Sequence, residues 1–148
     1  MKIISHRGNI NGPNIARENS PEYIDEALDL GYDVEIDVWY KNDDFYLGHD
    51  MAIYKIDISW LLNRASKLWV HCKNTEVLDI LLRYQMIHCF WHQTDDVTIT
   101  SKKYVWAYPG KQPIYNSIAV LPELLDDDIS QCLGVCTDNP KFFEANYA

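Results

Sequence analysis

The sequence predicts a small α/β protein, a TIM-type (β/α)8 barrel with several outer helices of its second half reduced or missing. Three observations lead there. Eight short strand-like runs follow one another along 148 residues, and helix-like text separates them only in the first half. Four short segments dense in reactive side chains each fall at or just past the end of a predicted strand, where βα barrels gather their active sites. Length supplies the third. Such barrels typically need about 250 residues, whereas eight units here average about 18.5. A strand of about five residues and two short loops leave about seven for a helix, less than the usual three turns. An open, mostly parallel α/β sheet is the alternative architecture.

Lys2 to Ser5 is β-rich, and Asn19-Ser20-Pro21-Glu22 then opens a helical pattern that runs to Leu30 and ends at Gly31. Ser20 is placed to cap this helix, with Pro21 at its first position and Tyr23, Ala27, Leu28 and Leu30 as a partial apolar stripe. Tyr32 to Trp39 alternates with period two, and Asn42-Asp43-Asp44 turns the chain into Phe45 to Leu47, a hairpin extension. Asp57 to Ala65 and Thr75 to Gln85 are the next helices, the second capped by Thr75 with Val77, Leu78, Leu81 and Leu82 on one face. Leu68 to Cys72 is the strand between them. Met86 to Trp91, Val97 to Thr100, Tyr104 to Tyr108, Ser117 to Leu121 and Leu133 to Thr137 follow as short β-like runs with little between them.

The size and composition fit one domain over residues 1–148, with 47% apolar and 24% charged residues. Thirteen basic against 22 acidic side chains give a net charge of −9, a field that repels nucleic acid and anionic membrane surfaces. The apolar run at the start breaks after Ile3-Ile4, too short for a secretory signal, and no window approaches a spanning helix, so the expectation is a cytoplasmic protein without integral membrane association. Cys72, Cys89, Cys132 and Cys136 are too sparse for a disulfide scaffold, and Cys132 and Cys136 on one strand would sit about 13 Å apart, beyond bridging distance.

The reactive segments are His6-Arg7-Gly8, Glu18-Asn19-Ser20, Glu35-Ile36-Asp37 and Gly48-His49-Asp50. Strand alternation aims Glu35 and Asp37 to the same side and Ile36 to the other. Two inward carboxylates repel each other unless a cation lies between them, which points to a divalent metal; hard oxygen ligands suit Mg²⁺ or Ca²⁺.

These four segments, in this order and spacing, resemble the signature of the glycerophosphodiester phosphodiesterase family, within the wider phosphatidylinositol phospholipase C-like barrels. The match is dense over residues 3 to 50 and thin afterwards, where Trp106 and Thr137-Asp138-Asn139-Pro140 resemble the family's later strand ends. The resemblance implies a TIM-type barrel, a divalent metal and two histidines exchanging protons during cleavage of a phosphodiester, without identifying the substrate; a small glycerol- or lipid-derived diester is the expectation. It assigns His6 and His49 as the acid and base pair, Arg7 as a phosphate contact, Glu35 and Asp37 as metal ligands, and Glu18 as a ligand or a partner behind the ligands. One neutral and one protonated imidazole can coexist near pH 7, so the pair is chemically sound. An arginine fork and a metal would both draw charge from the non-bridging oxygens.

The chain departs from the family at Leu68-Trp69-Val70-His71-Cys72-Lys73, where His71 stands in place of a further metal-binding Glu two residues before the Lys. Alternation still aims His71 and Lys73 inward and Cys72 outward. An imidazole can ligate but opens the site to Mn²⁺ or Zn²⁺, and Lys73 can contact the phosphate or neutralise Asp37. His88, Cys89 and His92 do not match a standard zinc spacing, and Trp91, Trp106 and Tyr108 read as core aromatics. Missing helices would leave Val105, Ile118, Val120 and Val135 in need of cover, which motivates a homodimer. The function expected is metal-dependent phosphodiester cleavage with His/His acid-base catalysis. The alternatives are a degenerate barrel that binds a phosphorylated ligand and a metal-independent phosphodiester lyase.

Overall fold

A computed structural model describes residues 1–147. Its strands are β1 (Lys2–His6), β2 (Asp33–Lys41), β3 (Asp44–Leu47), β4 (Tyr54–Ile56), β5 (Leu68–Cys72), β6 (Cys89–Phe90), β7 (Val97–Ile99), β8 (Val105–Ala107), β9 (Ser117–Val120) and β10 (Gly134–Thr137). Its helices are α1 (Pro21–Asp29), α2 (Ile58–Arg64), α3 (Thr75–Leu82) and α4 (Pro140–Tyr147), with a single 3-10 turn at Pro122–Leu124.

Seven strands run parallel in the order β6-β5-β2-β1-β10-β9-β8. The far end of β2 peels away to pair antiparallel with β3, which pairs in turn with β4. The parallel run curls into a barrel-like sheet. Trp69 on β5 and Phe90 on β6 lie 5.7 and 4.6 Å from Trp106 on β8, although β8 is at the opposite end of the run. The interior cluster of Ile4, Trp69, Phe90, Trp106, Ile118 and Cys136 takes one residue from each of six strands, which a flat sheet could not bring together. Between the two ends lies β7, antiparallel to β8. Ser101 N donates to Cys89 O at 2.8 Å, and Thr98 Oγ1 donates to Trp91 O at 2.9 Å, tying this segment to β6.

The direction of β7 corrects the all-parallel expectation. A tight hairpin joins it to β8, with Thr100 N bonded to Tyr104 O and Lys103 N to Thr100 O, and no helix fits in so short a connection. Alternating strands and helices are confined to the first half. Among the described residues only the 3-10 turn and α4 follow α3, so the expected loss of outer helices in the second half is what the fold has.

Each early helix starts where its cap dictates. Ser20 Oγ accepts from Tyr23 N, and Pro21 occupies the first helical position, where no amide donor is needed. Gly31, at φ +96°, closes α1 with bonds from its own N to Leu28 O and from Tyr32 N to Ala27 O, a left-handed stop that a side chain would strain. Asp57 caps α2 through Trp60 N. Asn74, not Thr75, caps α3: its Oδ1 accepts from Val77 N, and its amide also pairs with both Tyr40 N and Tyr40 O, fastening α3 to β2. That helix stops at Leu82 rather than Gln85, its last turn tightened by Tyr84 N bonding to Leu81 O.

Two buried layers result. Ile24, Ala27, Leu61, Val77 and Leu81 of the first three helices pack on the outward faces of β2, β5 and β6, where Val34, Ile36, Val38, Val70, Cys72 and Cys89 meet them. On the other side Phe143 of α4 covers Ala119 and Val135. Of the strand residues expected to need cover, Val135 lies under the chain's own last helix and Ile118 and Val120 point into the interior cluster, while Val105 stays partly exposed. Cys132 precedes β10 rather than lying on it, and all four cysteines are free. Among the described residues no helix is long and apolar enough to cross a membrane.

Candidate active site

The carboxyl ends of the parallel strands surround a cavity of about 420 Å³ lined by His6, Arg7, Glu35, His49, His71 and Lys73 on one side and by Trp106, Tyr108, Pro109, Val120 and Leu121 on the other. Six of the eight residues expected at the site line this cavity, and the other two, Asp37 and Glu18, lie behind it, each against Arg7 at 3.2 Å. Two surface grooves of about 640 and 650 Å³ lie elsewhere, and neither is lined by a histidine.

Strand register does most of the positioning. Glu35 pairs with His6 across β1 and β2, and Asp37 pairs with His71 across β2 and β5, so period-two alternation sends all four side chains inward together. Glu35 and Asp37 are 3% and 0% exposed. Among the described residues one group can hold a metal ion: an oxygen of Glu35, an oxygen of Asp37 and a nitrogen of His71 lie within 4.8 Å of one another.

Asp37 is the most heavily contacted group. Asn19 grips it twice, donating from Nδ2 to Oδ2 at 2.9 Å and accepting from Asp37 N at 3.0 Å. Around it stand Arg7 Nε at 3.2 Å, His71 Nδ1 at 3.3 Å, His49 Nδ1 at 3.5 Å and Lys73 Nζ at 3.9 Å. Burial opposes its ionisation, but the hydrogen bonds that His49 and His71 donate when protonated, and then the charge of Arg7, outweigh burial and hold its carboxyl well below the ordinary range. Glu35 goes the other way, pushed up by burial and then by the charge of Asp37. Glu35 Oε2, Asp37 Oδ1 and Arg7 Nε are buried without a hydrogen-bond partner. Native interiors seldom leave buried carboxylate oxygens in that state, and a cation between them is the simplest satisfaction of both.

The two histidines are set differently. His6 Nδ1 donates to Asp138 Oδ1 at 2.7 Å, because a carboxylate only accepts, and its Nε2 is turned inward, 3.8 Å from Glu35 Oε2. Burial lowers its pKa, yet the bond to Asp138 and the charge of Glu35 outweigh this and raise it above the usual 6.5. His49 Nδ1 accepts from Arg7 NH2 at 2.7 Å, because a guanidinium only donates, so the proton of the neutral ring sits on Nε2. Gly48 brings His49 to the rim: at φ +149° any Cβ there would sit 2.0 Å from Met51 O.

Glu18 stands apart from the metal-binding group. It accepts from Arg7 NH1 at 3.2 Å and from Asn9 Nδ2 at 3.0 Å, and the same Asn9 amide donates to Asp138 Oδ1 at 2.8 Å. Glu18 therefore sits behind the ligands, in a chain that ends on His6. Arg7 and Asn19 hold this arrangement with left-handed backbones, φ 57° and 65°, and Asn19 N bonds to Arg7 O.

Sequence reasoning assigned no role to Asp138, Asn9 or Asn19. Their only signal was position, since Asp138 directly follows β10 and Asn19 lies inside a segment already singled out. His88 packs at a tilt on Trp69 with centroids 4.1 Å apart deep in the interior, while Cys89 faces the outer layer, so the two do not converge. Trp106 is core and cavity wall at once, and Tyr108 is nearly half exposed at the rim.

The chain matches no family model, no curated protein and no solved structure.

Proposed function

We propose that the chain is a metal-dependent phosphodiesterase, a reduced TIM-type barrel of the glycerophosphodiester phosphodiesterase kind, acting on a small glycerol- or lipid-derived diester. The observation that carries this reading is the convergence of two differently set histidines on one cavity around buried carboxylate oxygens that lack partners. Glu35, Asp37 and His71 are the residues that would hold the cation, and the partnerless Glu35 Oε2 and Asp37 Oδ1 fit that role. Bound there, a divalent ion supplies Lewis-acid stabilisation of charge growing on the non-bridging oxygens.

The remaining steps belong to the chain's own groups. His6, anchored through Nδ1 on Asp138, presents Nε2 and takes the proton of the attacking hydroxyl or water. Arg7 is held at rest by His49 and Glu18; turning its fork to the diester releases His49 Nδ1. His49 Nδ1 then takes up a proton from solvent, with Asp37 Oδ2 3.5 Å away to hold the new Nδ1–H, and the ring delivers its Nε2 proton to the leaving oxygen, ending neutral with its proton on Nδ1. One proton is taken and one given. Lys73 adds a second positive charge on the same side of the cavity.

A second reading, a metal-independent lyase, draws on Arg7 and Lys73 already standing within 4 Å of Asp37 as fixed cations. Hydrolysis of a generic diester with metal added or chelated separates the two. The metal-dependent reading expects activity to vanish in chelator and to fall by about 10² to 10⁴ in His6→Ala and in His49→Ala, the range of a lost general acid or base. Full activity in chelator selects the lyase. No activity in any condition, with intact fold, selects a binding protein.

A further inference from the structure

We propose that the cluster of Glu35, Asp37 and His71 is built for a first-row transition cation, Mn²⁺ or Zn²⁺, in preference to Mg²⁺ or Ca²⁺. The inference rests on the metal-dependent reading above and deepens it by naming the class of ion.

The argument begins with the tautomer of His71. Its Nε2 lies 2.8 Å from the carbonyl oxygen of His92, and a carbonyl can only accept, so Nε2 carries the proton. In the neutral ring the lone pair is then on Nδ1, which faces Asp37 Oδ1 at 3.3 Å and Glu35 Oε1 at 3.8 Å. A lone pair aimed at two carboxylates is repelled by both unless a cation, either a proton or a metal ion, is shared among them. Phe90 stacks on the imidazole with centroids 5.0 Å apart and planes 13° apart, fixing the ring's orientation. A histidine whose far nitrogen is bonded to a backbone carbonyl, with its plane held, has the outer support that metal-ligating histidines require.

The donor set then decides the ion. Ca²⁺ takes six to eight oxygens and Mg²⁺ a near-octahedral oxygen shell, and both are held chiefly by negative charge. Here that charge is largely offset, because Arg7 Nε and Lys73 Nζ stand 3.2 and 3.9 Å from Asp37. With the net field weak, the nitrogen donor carries the selection, and imidazole favours Mn²⁺ and still more Zn²⁺ over the alkaline-earth ions.

Any site with nitrogen or oxygen donors leans somewhat toward transition ions, so the test compares the protein with His71→Glu. Calorimetric titration of the metal-free full chain with each ion alone should give Zn²⁺ and Mn²⁺ affinities at least 100-fold above those of Mg²⁺ and Ca²⁺. In His71→Glu that ratio should shrink at least tenfold. Zn²⁺ should also shift the ¹⁵N resonance of His71 Nδ1 while its Nε2 remains protonated, a readout that does not depend on the variant. An unchanged ratio in His71→Glu, an unmoved Nδ1 resonance, or Mg²⁺ and Ca²⁺ binding as tightly as Zn²⁺ overturns the inference and leaves metal dependence standing. Failure of every ion to bind overturns both.

Discussion

At the scale of single residues the site is a set of side chains each held by a neighbour that leaves it one working atom. Asp138 is the clearest case. It fixes His6 through Nδ1, so that Nε2 is the only nitrogen free to exchange protons, and it is itself fixed by Asn9 and by a backbone bond from Asp138 N to Glu123 Oε1. Asp138→Asn should lower kcat by about 10²-fold, within the range of a disabled general base. Because Asp138 raises the pKa of His6, the same variant should move the acidic limb of the kcat/KM profile to lower pH; a loss of rate with an unmoved limb would leave Asp138 a merely structural role. Much of this scale was legible beforehand. Strand alternation put Glu35, Asp37, His71 and Lys73 on one side, and each lines or abuts the cavity. What the sequence could not supply was the pairing of side chains 129 to 132 positions apart, as in Asn9 with Asp138 and His6 with Asp138. Glu18 shows the same limit: a carboxylate at the right motif position is a ligand or a support depending on which partner the fold brings to it.

At the scale of elements the boundaries in the first half followed from local chemistry, since Ser20, Pro21, Gly31 and Asp57 act within four residues of themselves. Strand direction has no such local signature, and the antiparallel setting of β7 was therefore invisible. The three-residue β4 offered too short an alternation to read. The last helix is different, because its signal was present: Asn139 accepts from Phe142 N and Pro140 begins the helix, a cap and first-turn proline that had been read as a strand end. That helix does the work expected of a partner subunit. Phe143, 4% exposed, lies on Ala119 and Val135. Phe143→Ala should cost about 3–5 kcal/mol, as for a large aromatic removed from a core, and lower the denaturant midpoint at unchanged slope. Since α4 packs outside the sheet and the cavity opens elsewhere, cation affinity measured below the unfolding transition should be unaffected.

At the scale of the whole molecule the curled sheet separates two environments within its interior. Near the carboxyl ends of the strands lie the charged groups of the cavity. Toward the other end Trp69, His88 and Tyr104 pack with their rings tilted against one another, and His88 Nε2 shares a 2.6 Å hydrogen bond with Thr100 Oγ1. Burial, then the nearby charge of Lys102, lowers the pKa of His88 to about 4. The unfolded chain takes up this proton near pH 6.5, so between these values it binds more protons than the folded one. The stability that neutral His88 contributes is complete above pH 6.5 and is lost as pH falls toward 4. Wild type should lose about 2 kcal/mol more than His88→Gln between pH 7 and 4.5 in denaturant titrations; equal losses would show that His88 is not held neutral. The proposed chemistry depends on a cation held by Glu35, Asp37 and His71 between His6 and His49. Anomalous diffraction from a crystal grown with Zn²⁺ tests it most directly. The account predicts a single strong peak within about 2.0–2.2 Å of a Glu35 oxygen, an Asp37 oxygen and His71 Nδ1. A map with no peak there, and with Arg7 and Lys73 as the only cations on Asp37, would contradict it.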